Sequence, residues 1–160
     1  MPTPHAITPR EATQRLDQVR RVYFEQGDLE RTLQGYTVIL AECEAAGAEI
    51  DALAMCCRDI ADILYELGEK ADAFKMYDRA LAYVVSDENI RAHTLMNKGI
   101  CLIQEGKREG SIALFAEANH LGSGPLKQIV EQNYKVALAI LRSQEKADVD
   151  VKTERQIRNS

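Results

Sequence analysis

The sequence predicts an all-α protein built as an antiparallel stack of helical hairpins, and three observations lead there. Apolar residues recur at three- and four-residue steps with no sustained two-residue alternation, which is the periodicity of helices rather than strands. Glycine turns divide the chain into short helical segments. The third observation is internal similarity. FEQGDLERTLQGYTVIL (24–40), YELGEKADAFKMYDRAL (65–81) and IQEGKREGSIALFAEAN (103–119) align without a gap on Gly27, Gly68 and Gly106. Each places a small residue five positions on (Thr32, Ala73, Ser111) and an aromatic nine positions on (Tyr36, Tyr77, Phe115). The glycine turns the chain, the small residue lets paired helices approach, and the aromatic fills the hole between hairpins.

The elements follow in order. Thr8-Pro9-Arg10-Glu11 joins an N-cap threonine, a proline at the first helical position and a glutamate that closes a capping box. That helix runs to Gln26 and stops at Gly27. A second starts after Asp28 and fades at Ala45-Ala46-Gly47; a third runs from near Asp51 to Gly68 and its neighbour from Lys70 to Val84. Ser86-Asp87-Glu88-Asn89 opens a fifth, ending before Gly106, and a sixth covers about Arg108 to His120. LGSGP (121–125) is a clear break, with Pro125 starting a last helix to about Arg142. The expected organisation is a flexible N-terminus (1–8), three hairpins within 9–122 (9–46, 51–85, 87–121), a capping helix (125–143) and a polar tail (144–160). The tail, with four acids and four bases, reads as a frayed extension or as disordered chain.

The hairpins resemble the tetratricopeptide repeat (TPR) family, in a long-period or degenerate form. Its pattern asks in order for a bulky residue, a leucine, a small residue, an aromatic, Gly, Ala, an aromatic and Ala. The middle repeat supplies Cys57, Ile60, Ala61, Leu64, Gly68, Ala73, Tyr77 and Ala80. The third supplies Leu95, Lys98, Gly99, Leu102, Gly106, Ser111, Phe115 and Ala118. The first supplies Leu16, Val19, Arg20, Tyr23, Gly27, Thr32, Tyr36 and Ile39, with Arg20 where a small residue belongs. Looser or different packing is expected there. The glycines lie 41 and 38 residues apart, against 34 in the plain repeat, and the excess falls between hairpins.

The resemblance implies an antiparallel helix-hairpin solenoid of three TPR-like repeats plus a C-terminal capping helix, the first helix of every hairpin facing a concave groove. Carried over by position, the groove receives Asp17, Arg21 and Phe24, then Arg58, Asp62 and Tyr65, then Met96, Asn97, Ile100 and Ile103. The heat-shock co-chaperone clamp of the family needs basic and amide residues at Asp17, Arg21, Asp59, His93 and Asn97; the two acids there would repel an acidic carboxylate tail. Met96, Ile100 and Ile103 form a second apolar stripe that must be covered, by the final helix or tail, by a bound peptide or helix, or by a dimer partner.

Composition narrows the function classes. The 160 residues suit one domain, and 46 % apolar with 28 % charged is ordinary for a soluble globular protein. A net charge of −5 argues against nucleic acid as partner. No apolar run reaches the length of a membrane span, and the N-terminus shows no secretory apolar region. Cys43, Cys56, Cys57 and Cys101 form no C-x-x-C and read as free thiols in a reducing, cytoplasmic setting, with no metal or cofactor expected. His5, His93 and His120 are scattered, Ser123-Gly124-Pro125 reads as a turn, and Asp59 with Asp62 reads as solvated helix surface. A non-enzymatic protein–protein interaction module, adaptor or chaperone-like, is expected, binding a peptide segment or helix of another protein. The alternatives are a self-associating regulatory or structural oligomer, a homodimer included, and a bacterial secretion-type TPR chaperone.

Overall fold

The computed structural model describes residues 7–160, apart from the side chains of Tyr23, Phe24 and Gln26. Seven helices and no strand are present among these residues: α1 (Pro9–Gln26), α2 (Leu29–Ala45), α3 (Ile50–Glu66), α4 (Lys70–Ala82), α5 (Glu88–Gln104), α6 (Arg108–Leu121) and α7 (Gly124–Arg158). The all-α class is as predicted. Local chemistry sets the boundaries. Thr8 Oγ1 accepts from the Glu11 amide at 3.2 Å while the Glu11 carboxylate accepts from the Thr8 amide at 2.8 Å, closing the capping box. The hairpin turns at Gly27, Gly68 and Gly106 all have φ between 64° and 86°, a left-handed backbone that glycine adopts without strain.

Packing is closest within the α3–α4 and α5–α6 hairpins and less close between α1 and α2. The first helices also touch in succession, α1 to α3, α3 to α5 and α5 to α7, whereas the backbones of α2, α4 and α6 stay apart from one another. The odd-numbered helices therefore form a continuous layer and the even-numbered ones splay behind it. A recurring clasp holds successive units. Thr13 Oγ1, Asp51 Oδ1 and Asn89 Oδ1 accept from the amides of Glu49 (3.3 Å), Ser86 (2.7 Å) and Ser123 (2.9 Å). Each bond ties an early residue of one first helix to the chain entering the next unit, and so absorbs the extra residues between hairpins.

Tyr36, Tyr77 and Phe115 are fully buried, each plugging its hairpin. Gly99 meets Phe115 so closely that a Cβ there would lie 3.0 Å from the ring, and Ser111 Oγ donates to the Gly99 carbonyl at 3.1 Å. The small residues at these positions are thus dictated by helix proximity. All four cysteines are buried and unpaired, and burial raises the Cys57 and Cys101 thiols to about 11.

Two expectations are corrected at the ends. Of the expected flexible start 1–8, residues 1–6 lie outside the described residues, but Ile7 packs on the core and Thr8 caps α1. The capping helix does not stop at 143. α7 continues through the polar tail to Arg158, because that tail contains no helix breaker and carries charges of both signs at helical spacing. Its extension is exposed and is tied back by an ion pair between Arg108 and Asp148 at 3.1 Å.

Candidate partner-binding site

The layer of odd-numbered helices carries one stripe from α3 and one from α5. Arg58, Asp62 and Tyr65 recur at helical spacing along α3, and His93, Asn97, Ile100 and Gln104 do so along α5. Between the stripes lies a cavity of about 430 Å³, with Tyr77 of α4 at its floor. Of the residues expected in the groove, Arg58, Asp62, Tyr65, Asn97 and Ile100 meet here.

The others do not. Asp17 and Arg21 are exposed on α1 and line no part of this cavity. The side chain of Phe24 is outside the described residues. Met96 is buried under α7, in a cluster with Val130 and Ala137 against which Ile103 and Tyr134 also pack. The second apolar stripe is therefore covered largely by the protein's own last helix: Met96 is core and Ile103 is half-buried against it, rather than groove. Only Ile100 of that stripe also reaches the cavity. The leftover residues Val136 and Ile140 stay exposed on α7, beside Asn133, whose Nδ2 meets Met96 Sδ at 3.6 Å.

Polar bonds fix the cavity walls. Arg20 Nε donates to Asp59 Oδ2 at 2.8 Å, Tyr36 Oη donates to the same oxygen at 3.1 Å, and Arg58 Nη2 donates to Asp59 Oδ1 at 3.3 Å. Arg58 Nη1 lies 3.2 Å from His93 Nδ1. A guanidinium can only donate, so Nδ1 accepts and the ring proton sits on Nε2. Burial and the neighbouring Arg58 lower the His93 pKa to about 4, leaving a neutral ring at pH 7. One turn along, Asp62 accepts from the Tyr77 hydroxyl and, at 3.3 and 3.1 Å, from Asn97 Nδ2. Burial raises its pKa to about 6 despite those bonds. Tyr65 Oη donates to Glu105 at 2.8 Å, and Lys70 pairs with the same carboxylate at 2.7 Å, which holds Glu105 below the usual range.

The pattern that located α3 and α5 was legible, but the polar pairing of their side chains was not. Arg20 was visible only as a misfit in the repeat. The structure shows why the misfit is tolerated: its side chain leaves the hairpin seam for Asp59 on α3. Asp59 is correspondingly buried at 4 % exposure rather than solvated surface. Larger than this cavity is a cleft of about 540 Å³ between α1 and α2, lined by Arg15, Val19, Val22 and Ile39, where the first hairpin packs less closely. Among the described residues its lining side chains make only peripheral bonds, Arg15 to Glu42 and Thr32 to the Asp28 carbonyl.

Among the described residues no group of three or more His, Cys, Asp or Glu side chains is placed to hold a metal ion, and no helix is long and apolar enough to cross a membrane. No protein-family model matches the chain, and comparisons with curated proteins and with solved structures find no significant match.

Proposed function

We propose that this protein is a non-enzymatic interaction module of the tetratricopeptide kind, adaptor or chaperone-like and cytoplasmic, whose concave layer takes a peptide segment or helix of another protein. One observation carries the reading: the face shared by α3 and α5 holds a cavity open among the described residues, walled by side chains already fixed by hydrogen bonds. A pre-ordered wall loses little side-chain entropy when a ligand arrives, which favours recognition. The buried unpaired thiols are in keeping with a reducing compartment.

Self-association is the second reading, and Ile129, Val136 and Ile140, exposed on one face of α7, favour it. A secretion-type chaperone is a narrower version of the first. Capture of partners from lysate of the source cells, comparing wild type with Asn97→Ala and Ile140→Glu, separates them. Loss of capture with Asn97→Ala alone supports the groove. Loss with Ile140→Glu alone, together with a concentration-dependent dimer in sedimentation that the variant abolishes, supports self-association and overturns the groove reading.

A further inference from the structure

Asp59 and Asp62 sit one turn apart on α3 in opposite electrostatic states. Asp59 is neutralised from two sides, by Arg20 at 2.8 Å and Arg58 at 3.3 Å. Asp62 receives hydrogen bonds only from neutral donors, Tyr77 and Asn97, and forms no ion pair among the described residues. The cavity lining sets three carboxylates, Asp59, Asp62 and Glu66, against one guanidinium, Arg58. Arg20 behind Asp59 makes it two guanidiniums against three carboxylates, an excess of one negative charge.

We propose that this cavity receives the basic side chain, lysine or arginine, of a polypeptide partner, with Asp62 as its counter-ion. The inference rests on the groove reading above and names what the groove selects. Asn97 spends its Nδ2 on Asp62, which leaves Oδ1 to accept an N–H of the incoming cation. Tyr65 and Ile100 flank the cavity and give the methylene stem an apolar wall. Glu66, exposed one turn beyond Asp62, adds attraction at the rim. An anion finds no equal site, because Arg58 already engages His93 through Nη1 and Asp59 through Nη2, its Nε is buried, and the surrounding carboxylates repel negative charge. Asp62 is desolvated, its hydrogen bonds come from neutral donors, and the nearby Arg58 guanidinium offsets only part of that cost; an arriving cation offsets more of it, so the site is stabilised when filled.

The test selects short random peptides displayed on phage against the full chain at neutral pH. The expected result is a single enriched Lys or Arg position. Replacing that residue by Ala in a synthetic peptide should weaken binding about tenfold or more. Asp62→Asn should weaken the parent peptide equally and leave the Ala peptide unaffected, while melting no lower than wild type. If Asp62→Asn fails to fold, the Lys or Arg replacement on the peptide side still reads the contact on unaltered protein. Selected peptides without a basic residue, or enriched in acids, overturn the proposal and leave the groove reading standing. Independent effects of Asp62→Asn and the peptide substitution do the same. A selection that returns no binding peptide overturns both.

Discussion

Arg20 Nε on α1 donates to Asp59 Oδ2 on α3 at 2.8 Å, joining the first repeat to the second across 39 positions of sequence. Asp59 is nearly fully buried, so this guanidinium and that of Arg58 are what make its charge tolerable. The first hairpin, which packs least closely within itself, is thereby tied to its neighbour by charge instead.

Arg20→Ala should lower stability by about 1–3 kcal/mol, less than the loss of a sole partner because Arg58 remains on Asp59. A double-mutant cycle with Asp59→Asn in denaturant melts measures the coupling. Additive effects would show that the two charges do not act together.

Ala73 is fully buried on α4, and Gly99 lies against the Phe115 ring where α5 and α6 meet. Ala73→Leu should cost about 1–3 kcal/mol through overpacking. Gly99→Leu should cost at least as much, since Phe115 is held in place by stacking on Tyr134 at 5.9 Å. Thermal melts unchanged from wild type would refute this account of the hairpins.

Asp62 and His93 pull stability in opposite directions with pH. Asp62 has a folded pKa raised to about 6, so its contribution is fully present in acid and is lost as pH rises through 6. His93 has a folded pKa lowered to about 4, so its contribution is present above its ordinary value and is lost as pH falls through 4. The groups facing them are Arg20 on α1, Arg58 and Asp59 on α3, Tyr77 on α4 and Cys101 on α5. Between pH 4 and 6 the two effects, each about 1–3 kcal/mol, largely cancel. Asp62→Asn should therefore stabilise the protein at pH 7 and unmask a loss of stability toward pH 4. Urea midpoints across that range check both signs.

Cutting the chain at two points should have unequal effects. Ending it after Ser123 removes Val130 and Ala137 and so uncovers Met96, Leu95 and Phe115, and aggregation or loss of cooperative unfolding is expected. Ending it after Ser143 removes only the exposed extension tied by the Arg108–Asp148 pair, and should shift stability by about 1 kcal/mol or less. Light scattering and circular dichroism melts distinguish the outcomes.

All four thiols should react with a thiol reagent only on unfolding, because burial keeps them protonated and shielded. Stoichiometric labelling of the native protein would contradict their placement in the core.

The sequence by itself determined what depends on near neighbours. Thr8, Pro9 and Glu11 define the start of α1 through a capping box that needs only four consecutive residues. Gly68 and Gly106 define their turns through a backbone angle other residues resist, and Tyr77 and Phe115 declare their burial by recurring nine positions later. What only the tertiary structure decided involves side chains whose partners lie on other helices. Residue type makes Asp59 and Asp62 equivalent surface acids, yet the first forms ion pairs with Arg20 and Arg58 while the second accepts hydrogen bonds from Tyr77 and Asn97. Met96 looked like open groove because its covering, α7, begins 28 residues later and lies across α5 by packing that no local spacing encodes. The helical continuation to Arg158 went unread for a related reason: a stretch of mixed charges suits an exposed helix and a disordered tail alike, and its attachment to α6 through Asp148 is a long-range contact.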